Sequence, residues 1–187
     1  MVMPLRLPTY TVDDLDSFPD DGNRYELLNG VLLVTPQASH AHQVVVTRLM
    51  VLLANYLHPS GKAYVVGPGA VELRPHTHLE PDILVVPGRP DLSAKWSDLS
   101  GWWLAVEVLS RSSRIYDRDY KRPAYLDLGL REVWLVDIAD EVVYVSTRKE
   151  EETARRHRFS WHPAEMPEPL LVDLDRLFED VTEGWEE

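Results

Sequence analysis

Trp102-Trp103-Leu104-Ala105-Val106-Glu107-Val108-Leu109 is an apolar run that a single carboxylate, Glu107, interrupts. A continuous run of this kind predicts a strand that is buried on both faces of a sheet. A carboxylate that leaves water for such a place is strongly unfavourable unless another group compensates its charge. The sequence therefore predicts a compensating group beside Glu107.

A second carboxylate stands at the mouth of another apolar strand. Asp82 follows Pro81 and precedes Ile83-Leu84-Val85-Val86. Two carboxylates in a dry site repel each other unless a proton or a cation lies between them. Asp82 and Glu107 therefore indicate a cation site, and we expect that neutralising either acid leaves the metal-free fold unchanged or stabilises it. For Glu107 alone, an ion pair with an arginine or a cap of backbone amides is the alternative.

The composition limits the class of protein. The chain has 187 residues, a length that fits one domain over residues 1–187. It has no cysteine, which excludes disulfides and thiolate metal sites. We expect a core over about residues 10–147, then a charged loop and acidic extension over 148–187. Residues 1–8, broken by prolines, do not resemble a secretory signal, and no apolar run approaches the roughly 20 residues of a membrane span. The expected location is the cytoplasm, without a membrane partner.

The charge argues against a protein that passively coats nucleic acid. The net charge is −12, whereas surfaces of that class are usually basic. Half of this excess lies in residues 173–187, where seven acidic residues accompany one arginine. A stretch of this kind is typical of a solvated chain end.

Two local patterns predict elements before Asp82. Asn29-Gly30 lies between two apolar runs and predicts a β-hairpin, because both residues favour the positive φ of a tight turn. Ser39 then opens a segment in which apolar residues recur at helical spacing from Val45 to Leu57. This segment predicts an amphipathic helix whose apolar face lies on the sheet.

The order of elements after Glu107 predicts a parallel pair of strands. A helical stretch ends at Leu128-Gly129 and the strand 132–137 follows. Strand, helix and strand in this order form a crossover connection, which makes the two strands parallel. A second hairpin should pair the strand 132–137 with residues 142–145.

Several short motifs follow one another in a characteristic order and spacing. They are Arg24-Tyr25-Glu26-Leu27, His42-Gln43, Pro81-Asp82, Glu107-Val108-Leu109-Ser110, Asp117-x-x-x-Lys121, Tyr125, Gly129 and Glu132-Val133-Trp134-Leu135-Val136-Asp137. Together they resemble the Uma-type family of putative restriction endonucleases, a former family of unknown function within the PD-(D/E)XK nuclease superfamily. The resemblance covers about residues 10–145.

The resemblance implies an α/β fold with a mixed central sheet flanked by helices, the restriction-endonuclease-like core. It also implies a DNA endonuclease that uses Mg²⁺ or Mn²⁺ and acts as a homodimer, because cutting both strands requires two sites. Asp82 corresponds to the metal-binding aspartate and Glu107 to the second acid, with the Val108 carbonyl as a third ligand. Glu26 is similar to an additional acid of the superfamily, and His42 to a residue that contacts a metal ligand or the phosphate.

The superfamily's lysine lies two residues after the second acid, where this chain has Leu109. Uma-type sequences commonly supply a lysine from the following helix, and Lys121 corresponds to it. Pro123 predicts that the regular helix begins, or is kinked, around Tyr120, so that Lys121 lies near a helix N-terminus whose free amides favour anions. We expect the Lys121 amine within about 4 Å of the Glu107 carboxylate.

The connection after Glu107 is locally basic. Between Ser110 and Arg122 there are five cations and two acids. The predicted phosphate contacts are Arg111, Arg114, Arg118 and Arg122. A salt-bridged surface loop is the alternative interpretation.

Two other functions remain open from the sequence. The fold could serve as a catalytically inactive nucleic-acid-binding or assembly module, a hypothesis that Leu109 and the acidic balance favour. The alternation of His76, His78, Glu80 and Asp82 is compatible with a zinc hydrolase, because these residue types bind zinc. Pro75 and Pro81, however, disfavour the straight strand that this site requires.

Overall fold

A computed structural model describes residues 9–89, 91, 93–111, 113–150 and 152–181. The predicted acidic chain end beyond Val181, the proline-rich start and Ser112 of the basic segment lie outside the described residues. The elements in chain order are β1 (Arg24–Leu28), β2 (Val31–Thr35), α1 (His40–Leu57), β3 (Ala63–Val66), β4 (Val71–Leu73), β5 (Thr77–Leu79), β6 (Ile83–Pro87), β7 (Leu104–Val108), α2 (Arg122–Asp127), β8 (Glu132–Asp137), β9 (Val142–Thr147), β10 (Thr153–Arg155), β11 (Arg158–Trp161), β12 (Leu170–Asp173) and α3 (Leu174–Leu177).

The central sheet is mixed, as predicted. Its strand order is β10-β9-β8-β7-β6-β3, with β7 and β8 parallel and the other neighbours antiparallel. A second sheet has the order β2-β1-β5-β4, and β11 pairs with β12. The predicted α/β class, the parallel pair and the hairpin from β8 to β9 are confirmed.

Strand β7 is buried on both faces, which explains its apolar sequence. Leu104, Val106 and Val108 belong to the hydrophobic cluster that includes α1. Ala105 and Leu109 belong to the other cluster, which includes Tyr125 of α2. Successive side chains of a strand point to opposite faces. Glu107 therefore points to the α2 side of the sheet.

Helix α1 and the first hairpin form as their sequences predict. The Ser39 hydroxyl accepts the His42 N–H at 3.2 Å and caps α1. The fully buried apolar face of α1 is Val45, Leu49, Leu53 and Leu57. In the hairpin turn, Asn29 and Gly30 have φ of 51° and 81°. A Cβ on Gly30 would also lie 2.4 Å from the Thr9 methyl group, so that only glycine fits there.

The C-terminal part packs more closely than the sequence predicts. Residues from 148 onward were expected to form a charged loop and an acidic extension. Instead, β10 extends the central sheet, and Trp161, Val172 and Leu177 join the hydrophobic cluster of α1. Strands β11 and β12 are short, and each contains too few apolar positions for an alternating pattern to predict a strand. The part of the chain that the structure describes contains no helix with the length and apolar character of a membrane span.

Candidate active site

A cluster of buried charged side chains lies where β1, β6, β7 and α2 meet. Glu26 comes from β1, Asp82 directly precedes β6 and Glu107 comes from β7. Asp117 and Lys121 come from a π-helical turn, Tyr116–Lys121, that runs into α2. Each of these side chains belongs to a residue that is at most 7% exposed. We call these five residues the acid cluster.

Lys121 is the cation at the centre of the acid cluster. Its amine lies 2.6 Å from Glu26 Oε2, 3.3 Å from Asp117 Oδ1 and 3.4 Å from Glu107 Oε1. The predicted approach of Lys121 to Glu107 is therefore present. Burial alone would lower the pKa of Lys121, but the three carboxylates raise that pKa above its ordinary value. Lys121 is thus held as an ammonium ion.

The backbone around Lys121 differs from the prediction. The regular helix α2 begins at Arg122, but the π-helical turn precedes it, and the Arg122 N–H donates to the Asp117 carbonyl. The expectation of free helix-terminal amides beside Lys121 is therefore wrong. The π turn shifts the hydrogen bonding by one residue, so that Pro123 lies in the first turn of α2, where its missing N–H is tolerated.

Two neighbours of Glu107 were not identified from the sequence as candidate site residues. Tyr125 is fully buried and donates its hydroxyl to Glu107 Oε1 at 2.6 Å. Asp117 is 2% exposed and contacts Lys121. The signal was the spacing of four that links Asp117, Lys121 and Tyr125, which places them on one helix face.

Asp82 is held by three donors. Its Oδ2 accepts the Val108 N–H at 2.9 Å and lies 3.0 Å from His42 Nε2, while Oδ1 accepts Arg24 Nη2 at 3.0 Å. Burial would raise the pKa of Asp82, but the hydrogen bond from His42, the nearby Arg24 and the Val108 amide hold it below its ordinary value. Asp82 is therefore ionised, and His42 contacts a predicted metal ligand, as expected.

Glu26 is fully buried and completes the inner side of the acid cluster. Its Oε1 accepts the Glu80 N–H at 2.7 Å, and its Oε2 pairs with Lys121. The structure thus brings Glu26 into the site, in contact with the lysine.

The acid cluster opens into a groove made of two cavities. The cavity of about 260 Å³ is lined by Asp82, Glu107 and Lys121. The neighbouring cavity of about 620 Å³ shares Arg24 and the segment 36–38 with it. The two predicted metal ligands therefore line one space that is accessible from the surface.

The buried charges of the acid cluster are unbalanced. Among the described side chains, its four carboxylates lie beside two permanent cations, Lys121 and Arg24, and exposed Arg111 is a third cation at the cavity wall. Burial raises the pKa of Glu107 well above its ordinary value; Lys121 opposes this shift, while Asp117, Asp82 and Glu26 add to it. A proton or a further cation is needed to compensate the excess of negative charge.

The burial of Glu107 makes the stability depend on pH. Because its pKa is raised in the fold above 4.5, the fold binds more protons than the unfolded chain above that pH, and stability falls as pH rises toward the folded-state pKa. The lowered pKa of Asp82 changes the pH dependence of stability only below about pH 3.8, the ordinary pKa of aspartate. In EDTA we expect a lower thermal midpoint at about pH 8 than at about pH 5.5, and a smaller difference in Glu107→Gln. Equal pH profiles for the two proteins would contradict this assignment.

The donor set suits a hard divalent cation. Asp82 and Glu107 supply carboxylate oxygens, and the Val108 carbonyl shares the strand edge of its N–H, which faces Asp82. Among the described residues, Glu107 accepts a hydrogen bond from Tyr125 and pairs with Lys121, and both partners contact Oε1. The other oxygen, Oε2, is therefore left for a ligand. The described ranges contain no group of three or more histidine, cysteine or acidic side chains arranged to hold a metal ion. A cation at this site would therefore depend on two carboxylates, the Val108 carbonyl and water.

Most of the predicted phosphate contacts have protein partners. Arg114 forms a bidentate pair with buried Asp137, and both Arg118 and Arg122 pair with Glu152. These three guanidinium groups fit the salt-bridged alternative. Arg111 is exposed and lines the cavity of Asp82 and Glu107, which is the position expected of a phosphate contact.

The histidines of the zinc hypothesis are separated from one another. His78 lies between two carboxylates, 2.9 Å from Glu72 and 3.1 Å from Glu80, whereas His76 contacts the Tyr10 carbonyl at 2.9 Å. The four alternating residues do not share one straight strand, because β5 spans only Thr77–Leu79. The geometry gives the zinc hypothesis no support.

Residues 12–177 match the model of a family described as "Uma2: Putative restriction endonuclease". The fold is similar to the crystal structure of a putative nuclease belonging to DUF820 from Anabaena variabilis ATCC 29413. The TM-score is 0.74, at 17% sequence identity over 91% of this chain and 98% of that chain. No curated protein gives a significant match. Because the family model spans most of its length, the chain belongs to the Uma2 family of putative restriction endonucleases.

Proposed function

We propose that the protein is a metal-dependent endonuclease that hydrolyses phosphodiester bonds in DNA. Asp82, Glu107 and the Val108 carbonyl would hold Mg²⁺ or Mn²⁺. The observation that carries the proposal is that two buried carboxylates, Asp82 beside β6 and Glu107 in β7, line one accessible cavity together with Val108. The family membership of the chain supports the same reaction class.

A bound divalent cation neutralises charge on the phosphate and lowers the pKa of a water ligand. The protein's own contribution is to fix the two carboxylates. Tyr125 and Lys121 orient Glu107, while His42 and the Val108 N–H orient Asp82. Side chains that are held in this way need little reorganisation when substrate binds.

Lys121 acts in this proposal as a fixed positive charge. Its raised pKa keeps it protonated at neutral pH, which argues against a role as the base that activates water. Its burial among Glu26, Asp117 and Glu107 favours a role in orienting Glu107 over direct contact with the substrate phosphate. Glu26 belongs to the same unit, because it orients the lysine.

DNA is proposed as the substrate because the smaller cavity beside the acid cluster continues into the larger one, and exposed Arg111 stands at the wall of the smaller cavity. A phosphate group at that wall would meet Arg111 on one side and the metal ligands on the other. A homodimer would present two such sites and cut both strands of a duplex.

Cleavage of supercoiled plasmid tests the proposal. We expect nicked product with Mg²⁺ or Mn²⁺ and none with EDTA. Without a cation, the carboxylates of the site would repel the phosphate and nothing would neutralise its charge. Linear product at early times indicates two sites acting together, as in the proposed homodimer. Protein carrying Glu107→Gln and purified identically controls for contaminating nucleases. Equal cleavage by both proteins, or cleavage in EDTA, would contradict the proposal.

A catalytically inactive nucleic-acid-binding or assembly module is the second candidate. The observation in its favour is that Asp82 already has three donors, Arg24, His42 and Val108, which satisfy it without a metal. In that case the protein binds DNA equally well with and without Mn²⁺ and leaves it intact.

A further inference from the structure

Lys121 and Arg24 are the permanent cations paired with the acid cluster among the described residues, and Arg24 is the more accessible of the two. The Lys121 side chain is 2% exposed, whereas that of Arg24 is 25% exposed. Arg24 Nη2 donates to Asp82 Oδ1 at 3.0 Å, and Nη1 donates to the Glu80 carbonyl at 2.7 Å. The side chain lines both cavities of the groove. Arg24 therefore stands between a proposed metal ligand and the open groove.

The oxygen atoms of Asp82 are not equally available. Each carboxylate oxygen has two lone pairs that can accept hydrogen bonds. Oδ2 already interacts with His42 Nε2 and the Val108 N–H, while Oδ1 accepts Arg24. A cation that approaches Asp82 therefore has its free lone pair on Oδ1, directly beside the guanidinium.

A divalent cation and a guanidinium on the same oxygen repel each other, and burial strengthens the repulsion because little water screens it. Retaining both would weaken the metal site. Moving Arg24 toward the larger cavity, which it already lines, relieves the repulsion and places its charge in the groove. The planar guanidinium matches the oxygens of a phosphate.

We propose that Arg24 is the counter-ion that a divalent cation displaces from Asp82, and that the displaced guanidinium then binds the substrate phosphate in the groove. This inference rests on the proposed metal-dependent function. Arg24 is a positioning residue for Asp82 in the metal-free protein and a phosphate contact in the loaded one. The same side chain thus opposes metal binding and favours substrate binding.

Calorimetric titration of the full chain with MnCl₂ tests the first half. We expect Arg24→Gln to bind Mn²⁺ at least about tenfold more tightly than the wild type, because the competing charge is gone. Arg74→Gln is the matched control. Arg74 lies in the same groove and pairs with Asp13 and Glu72. The substitution Arg74→Gln therefore removes the same charge from the groove without changing a contact of Asp82. Its Mn²⁺ affinity should be unchanged.

Binding of a labelled DNA duplex in Ca²⁺ tests the second half. Arg24→Gln should bind DNA about tenfold more weakly at saturating Ca²⁺, although its metal site is tighter. A merely structural arginine would instead lower the thermal stability and leave metal affinity unchanged or weaker.

The outcomes separate this inference from the proposed function. If the wild type binds Mn²⁺ and Arg24→Gln binds it no more tightly, the displacement is wrong and the metal-dependent function stands. An equal gain in Arg74→Gln also contradicts displacement. If neither the wild type nor Arg24→Gln binds Mn²⁺, both proposals fail. If only Arg24→Gln binds Mn²⁺, Arg24 blocks the site and is not displaced from it, which contradicts both the displacement and the metal-dependent function of the wild type.

Discussion

Replacing Glu107 by Gln is expected to reduce DNA cleavage by about 10²–10³-fold or more, while the protein stays folded. Glutamine keeps the shape of the side chain and an oxygen that can accept the Tyr125 hydroxyl. It loses the negative charge that a divalent cation requires. The measurement is the initial rate of plasmid nicking in Mg²⁺, with the thermal midpoint as the readout of folding.

The fold should tolerate this change for a definite reason. Burial and three neighbouring carboxylates raise the pKa of Glu107, so its charge opposes folding in the absence of metal. The neutral amide removes that opposition, and the midpoint in EDTA should stay the same or rise. Glu132→Gln is the matched control, because Glu132 is another strand acid whose pKa burial raises, and it bonds to Trp134 outside the groove. That control should cleave like the wild type.

Asp82 is expected to behave differently from Glu107, which corrects the expectation that neutralising either acid is harmless. The pKa of Asp82 is held below its ordinary value by His42, Arg24 and the Val108 amide, so its charge favours the fold. Asp82→Asn should therefore lose both cleavage and about 2 kcal/mol of unfolding free energy, since hydrogen bonds to a charged group contribute that much. Strong unfolding of Glu107→Gln, by contrast, would show that Glu107 is a structural acid.

The sequence predicts those parts of the fold that follow from local periodicity. The apolar run around Glu107 places β7 in the middle of the sheet, and Asn29-Gly30 fixes the hairpin that presents Glu26. Alternation along β7 then directs Glu107 toward α2. The approach of Lys121 to Glu107 was expected from the family resemblance and not from periodicity.

The remainder of the site depends on contacts between distant segments. Arg24 and Asp82 are far apart in the chain and meet only because β1 pairs with β5 ahead of Asp82. The sequence around Asp117 is typical of a surface acid in a charged helix, whereas in the structure Asp117 is buried and shares Lys121 with Glu26. The composition of the basic segment predicts phosphate binding. In the structure, however, Asp137 and Glu152, which lie in other parts of the chain, form ion pairs with three of its arginines. Composition does not reveal such partners.

Lys121→Ala is expected to lower the free energy of unfolding by about 3–5 kcal/mol at neutral pH, the cost of leaving buried charges without a partner. The structure makes Lys121 the shared partner of Glu26, Glu107 and Asp117. Urea denaturation in EDTA measures the change, and Lys149→Ala, which removes an exposed lysine, is the control.

The cause of this loss can be separated from the removal of packed methylene groups. Lys121→Met keeps most of the buried volume without the charge, so an electrostatic cause predicts that it is nearly as unstable as Lys121→Ala. Adding Glu26→Gln to Lys121→Met should restore part of the stability, because Glu26 forms the shortest contact with the amine, at 2.6 Å. The loss in Lys121→Met should also shrink from about pH 8 to about pH 5.5, where the uncompensated carboxyls take up protons. A stable Lys121→Met with an unchanged pH profile would mean that the carboxyls around Lys121 are already protonated, and Asp82 would then be the member of the acid cluster that offers a charge to a metal.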